Sequence, residues 1–136
     1  MSHSPLRALT EVLLKAANRL DLARLTQLVS EDHQRIEIDG SGKSIVLTRP
    51  VEWMEFLRRS FAALKSVQDK LDWEILDFTE QVEDSLGIVR LKYRQTGLVA
   101  GQLATQLFWV SLVWKQTEEG WKNSLWHASR LEVRPV

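Results

Sequence analysis

His33, Glu37 and Asp39 fall on one parity of a short stretch, and these are residue types that hold metals or move protons. They could be read as metal ligands. No second histidine follows at the i, i+4 spacing that sets two ligands on one helix face, and there is no cysteine to add a thiolate. No metal and no cofactor is expected. The lack of cysteine also excludes disulfides, thiol catalysis and iron–sulfur clusters. Ser111 and Ser129 lack the glycine-flanked elbow that presents a nucleophilic serine. Gly40-Ser41-Gly42-Lys43 is too short for a phosphate-cradling loop and joins two strands. What these residues leave open is proton transfer by carboxylates and by histidine, the side chain most easily tuned to titrate near neutrality.

The charges set further bounds. Eighteen basic and eighteen acidic residues cancel, whereas proteins that bind nucleic acid or anionic membranes usually carry a basic excess. Neither partner is expected. Arg90, Lys92 and Arg94 form a basic row on one strand parity, best explained by cross-strand pairing with Asp72 and Glu74 on the preceding strand. The longest nearly apolar stretch, Leu107–Trp114, cannot span a bilayer. Arg7, Glu11, Lys15 and Arg19 interrupt any signal-like apolar run at the N-terminus. One cytoplasmic domain over residues 1–136 is expected. With 44% hydrophobic residues, a chain of this length can bury roughly two thirds of its unfolded surface without covalent staples.

The elements that must position the polar residues follow from periodicity. Ser4-Pro5 reads as a helix start, and Leu6, Leu9, Leu13, Ala17 and Leu20 form one apolar stripe. Asp21 reads as the cap of a short second helix. From Asp32 the period becomes two, with a turn at Gly40-Ser41-Gly42 and a brief strand over Ser44–Leu47. Thr48-Arg49-Pro50 opens a third helix to about Lys65. Four strands complete the chain, at Leu71–Ile75, Leu86–Thr96, Gln102–Lys115 and Trp121–Val133. Thr117-Glu118-Glu119-Gly120 makes a tight hairpin loop with glycine at a left-handed position. The expected architecture is α+β, with three helices from the N-terminal half packed on one face of a curved antiparallel sheet.

On Gln102–Lys115 both parities are apolar: Leu103, Leu107, Trp109, Ser111 and Val113 on one, Phe108, Val110, Leu112 and Trp114 on the other. Helices can cover only one face, so a second copy of the chain is expected to cover the other. That outer face is read as Phe108, Val110, Leu112, Trp114 and Trp126, giving a homodimer. Trp53 is assigned to the core.

The order of elements, with Leu20-Asp21-Leu22, Leu28-Val29-Ser30-Glu31-Asp32 and the ending Gly120-Trp121-Lys122…His127-Ala128-Ser129, resembles the nuclear transport factor 2-like superfamily. The ending is similar to the last strand of its SnoaL-like and calmodulin-kinase-association-like branches; ketosteroid isomerase is another protein of this fold, and the superfamily's enzymes share a conical cavity between the concave sheet face and the helices. The resemblance implies such a cone, and it places Glu37 near the position of the isomerase's carboxylate base. It also sets Leu125, His127 and Ser129 facing the cavity, with Trp109 and Ser111 opposite and Tyr93 beside them. Leu13 stands where the isomerase presents a tyrosine donor, and Ser111 stands near the place of its protonated aspartic acid. Steroid isomerisation is therefore not implied.

Glu37 and His127 would form an acid–base pair suited to dehydration, cyclisation or enolisation. Tyr93, Trp109, Ser111, Leu125 and Ser129 would bind a small, largely apolar molecule. The plainer readings are a hydrogen-bonded core His127 and a Glu37 paired with Arg35. A non-catalytic dimerisation module with a filled cavity is the alternative function.

Overall fold

The computed structural model describes residues 5–39 and 41–136. The expected cap at Ser4 and the Gly40 position of the first turn lie outside the described residues. Helix α1 spans Pro5–Asn18 and α2 spans Leu22–Leu28. Strands β1 (Val29–Ile38) and β2 (Ser44–Leu47) precede α3 (Pro50–Leu64), which runs on into a 3-10 turn over Lys65–Lys70. Strands β3 (Asp72–Glu83), β4 (Leu86–Val99), β5 (Gln102–Thr117) and β6 (Gly120–Pro135) follow.

Local chemistry fixes the helix ends. The α1 stripe buries Leu6, Thr10, Leu13 and Leu14 on one face. The helix stops where Leu20 turns left-handed at φ 58° and the Asp21 N–H returns to the Ala16 carbonyl. Asp21 Oδ1 then accepts from Arg24 N at 3.0 Å, as a cap should. Pro50 opens α3, and Glu52 accepts the backbone N–H groups of Thr48 and Arg49 at 3.1 Å each. Gly120 sits at φ +100° in the β5–β6 turn, a conformation that favours glycine.

The strands form one curved, unclosed sheet in the order β2-β1-β6-β5-β4-β3. Its pairs are antiparallel except for β1 and β6, which run parallel. The expected antiparallel sheet holds for every pair but this one: β1 pairs antiparallel with its hairpin partner β2 on one side and runs parallel to the last strand on the other. The helices cover one face, which carries the core.

The assignment of the two sheet faces is also corrected. Phe108, Val110, Leu112, Trp114 and Trp126 are buried under the helices with Val89, Leu91 and Tyr93, so they are core and cannot form an outer dimer surface. The opposite parity, Leu107, Trp109, Ser111 and Val113 on β5, is the outer face and only half-buried. Both parities are apolar, so β5 alone does not distinguish them. Strand β4 does: its row Arg90, Lys92 and Arg94 pairs with Ser111, Trp109 and Leu107, while Leu91 and Tyr93 pair with Val110 and Phe108. On β6, bulges interrupt the register against β5 between Val113 and Trp114 and between Leu107 and Phe108. A one-residue insertion of this kind re-aims side chains.

Leu112 is fully enclosed on the inner face, so Leu112→Ala should lower unfolding free energy by about 2–5 kcal/mol. Urea denaturation checks this. A loss below about 1 kcal/mol would return Leu112 to the surface.

Candidate active site

Strand β1 enters the sheet with an unusual row: His33, Arg35 and Glu37 point inward beneath the helices, and Ile36 lies on the outer parity beside His127. Their interactions form a chain. His33 Nδ1 lies 2.9 Å from the Asn123 carbonyl. A carbonyl only accepts, so Nδ1 carries the proton and Nε2 is left as an acceptor. Arg35 Nη1 approaches that Nε2 at 3.5 Å. Arg35 then donates through Nη2 at 2.7 Å and Nε at 3.2 Å, both to Glu37 Oε2.

The two side chains of this ion pair are only 8% and 15% exposed. Removing one partner from such a pair leaves a buried charge alone, at a cost of about 3–5 kcal/mol. Aromatic rings complete the setting. Trp126 lies 5.0 Å under the Arg35 guanidinium, and Trp53 meets the His33 ring edge-on at 5.2 Å. Trp53 is core, as expected.

Between this row and the helices is a cavity of about 370 Å³. Its deep wall is Leu13, Leu57, Tyr93, Phe108 and Trp126, and Glu37 lies along one side. Its outer end lies among Ala100 and Gly101 of the β4–β5 turn, Gln95, Gln106, Asp39 and Arg130. Tyr93 stacks on Phe108 at 5.5 Å and meets Trp126 edge-on at 6.3 Å. Burial first, and the Glu37 charge second, push the Tyr93 phenol well above its ordinary range, so it stays protonated. Its hydroxyl makes no hydrogen bond to another described residue. Glu37 Oε1 accepts none either, because Arg35 uses only Oε2.

Of the residues anticipated from sequence, the structure brings Glu37 and Tyr93 together on the cavity wall. It does not bring the others there. Trp109, Ser111, Leu125, His127 and Ser129 face outward: Ser111 pairs with His127, Trp109 with Ser129 and Val113 with Leu125 on the outer parity. His127 and Glu37 therefore lie on opposite faces of the sheet and form no pair. Trp109 stacks under Arg90, whose guanidinium carbon is 4.4 Å from the ring centre, and near Lys92 at 5.9 Å. Arg94 of the basic row meets Asp72 and Glu74, at 3.1 and 3.7 Å. Arg35, Gln106, Phe108, Trp126 and Arg130 were not anticipated as site residues. Leu91 and Tyr93 alternating with charged neighbours on β4 was the signal for the inner face, and counting register across to β5 and β6 leads to them.

Comparison with known proteins agrees with this architecture. The CaMKII hub of S. rosetta superposes with a TM-score of 0.76 at 20% identity, covering 96% of this chain and 100% of that one. A candidate aromatic ring hydroxylase from Novosphingobium aromaticivorans gives 0.79 at 16%, covering 96% and 90%. A candidate dehydratase of the NTF2-like family from Streptomyces avermitilis gives 0.78 at 18%, covering 93% and 94%. These likenesses define a nuclear transport factor 2-like fold. No curated protein matches the sequence. The family model for the SnoaL-like domain matches residues 6–132, and the chain belongs to that family.

The His33 ring provides a pH test of the polar row. Burial, reinforced by the Arg35 charge, pushes its pKa from 6.5 down to about 3. The unfolded chain then binds the extra proton between those values. Stability is complete above pH 6.5 and falls as pH drops toward 3, with a slope of up to about 1.4 kcal/mol per pH unit from this group. Carbon-13 NMR should show a neutral Nδ1–H imidazole at pH 5. A His33 ring titrating near 6.5 contradicts its burial in this chain.

Proposed function

We propose that the protein binds a small, largely apolar molecule in the cavity beneath its helices and carries out acid–base chemistry of the lyase or isomerase type at Glu37. The observation that carries this reading is an open, mostly apolar hollow with a carboxylate on its wall. Among the described residues Glu37 Oε1 has no hydrogen-bond partner, while Oε2 is held by Arg35. A fixed carboxylate with one free oxygen suits proton abstraction next to a carbonyl group. The protonated Tyr93 hydroxyl on the same wall suits donation to the oxygen on which charge develops. Arg35 anchors the carboxylate through two N–H groups that share Oε2. His127 has no part in this reading. The names of the hydroxylase and dehydratase relatives are in keeping with small-molecule chemistry on this fold, without fixing the reaction here.

The test is a thermal-shift screen of small cyclic and aromatic carbonyl compounds, followed by proton exchange of the hits in deuterium oxide read by NMR. The native protein should accelerate exchange at the carbon beside the carbonyl, and Glu37→Gln should lower that rate on the order of 100-fold with folding intact. A hit that binds and exchanges equally with Glu37→Gln would contradict the base role.

A second reading concerns the outer face and coexists with the first. Leu103, Leu107, Trp109, Val113 and Leu125 give β5 and β6 a half-buried apolar outer surface that no helix among the described residues covers. A sheet face of this kind suits burial against a second copy of the chain. Light scattering should give twice the 15.7 kDa chain mass, and Leu107→Asp should halve it. A monomeric native protein at micromolar concentration would overturn the dimer.

A further inference from the structure

The outer end of the cavity brings a guanidinium and a side-chain amide together at Arg130 and Gln106. Arg130 pairs with Phe108 on the same inward parity of β6 as Trp126 and Ala128, and its side chain lines the cavity just before the strand bulges ahead of Glu132. Arg130 Nη1 donates to Gln106 Oε1 at 3.4 Å. A guanidinium has no acceptor atom, so the Gln106 amide must present its oxygen to Arg130 and its NH₂ group elsewhere. Gln106 is only 8% exposed, yet its Nε2 makes no hydrogen bond to another described residue. Nor does Arg130 form an ion pair among the described residues.

Each carboxylate on the same wall has one oxygen engaged elsewhere, and neither forms an ion pair with Arg130. Glu37 is bound by Arg35. Asp39 Oδ1 accepts the backbone N–H groups of Ser41 and Lys43 and the Ser41 hydroxyl. The neighbouring turn makes room for the cation. Gly42 has φ +88°, and a Cβ there would lie 2.9 Å from Arg130 Nη2.

We propose that Arg130 and the Gln106 amide form an anion subsite at the mouth of the cavity, so that the bound molecule is an apolar body ending in a carboxylate or similar oxyanion. This rests on the reading of the cavity as a binding site and specifies its ligand class. A planar guanidinium beside an amide NH₂ matches an oxyanion with two or three acceptor oxygens. The body of such a molecule would extend inward to Phe108, Tyr93 and Trp126, past Glu37. Its charge would neutralise the half-buried Arg130, which a neutral ligand would leave without a counterion.

Two fluorescent probes with the same ring skeleton test this: 8-anilinonaphthalene-1-sulfonate, and N-phenyl-1-naphthylamine, which lacks the sulfonate. Both should bind the native protein with one site. Arg130→Gln should weaken the sulfonate probe at least about tenfold and leave the neutral probe within about twofold. Gln106→Glu, which supplies Arg130 with a fixed carboxylate, should do the same. Melting curves verify both folds, and either folded variant suffices. If both probes bind but the variants shift them equally, or not at all, the subsite is overturned and the binding cavity stands. If neither probe binds the native protein, the binding reading falls and the subsite falls with it.

Discussion

The buried ion pair of Arg35 and Glu37 is the constraint around which the inner face is arranged. Charges of this kind are expensive to remove from water, and they persist only where geometry and further hydrogen bonds compensate. Here both contacts from Arg35 fall on one carboxylate oxygen. Trp126 backs the guanidinium, and His33 joins its other side to the Asn123 carbonyl. Asn123 in turn donates to the Val113 and Leu125 carbonyls, which ties β6 to β5 at a point where the register shifts. The polar row is thus anchored by the backbone of the two longest strands. An apolar replacement could stabilise the sheet equally well. What the pair adds is a carboxylate held still at the edge of a hollow.

The hollow exists because the inner face is not filled uniformly. Near the tips of α1 and β4 the packing is tight, with Leu6, Val89, Leu91, Leu112 and Trp114 enclosed. Toward the β4–β5 turn the wall passes from rings to the polar groups of Gln95, Gln106 and Arg130. The wall therefore has an apolar depth and a polar mouth. That gradient is the form a pocket takes when it orients an amphiphilic guest, with few polar groups fixing direction and apolar surface supplying most of the affinity.

The helices, the capping Asp21, the Pro50 helix start, the six strands and the glycine of the last hairpin were all legible in the sequence. Each depends on local periodicity or turn chemistry. The identity of the inner face on β5 and β6 was not. Both parities of β5 carry large apolar side chains, and bulges on β6 change which residues look inward. Trp126 and Arg130 thereby enter the site, while His127 and Ser129 leave it. Strand β1 misleads in another way, since its charged parity faces inward and Ile36 faces out. Glu37 was legible only through likeness to a fold in which the same strand carries a base. Its partner Arg35, two residues away on the same parity, was visible as a competing explanation, and the structure contains that contact.

The inner face encloses open space bounded by Tyr93, Phe108 and Trp126 rather than collapsed side chains. Crystals pressurised with xenon test it most directly, because the gas enters apolar cavities and its anomalous scattering locates it. A xenon site is expected against those rings, within a few ångströms of Glu37. Side chains occupying that space, with xenon bound only elsewhere or not at all, would contradict it.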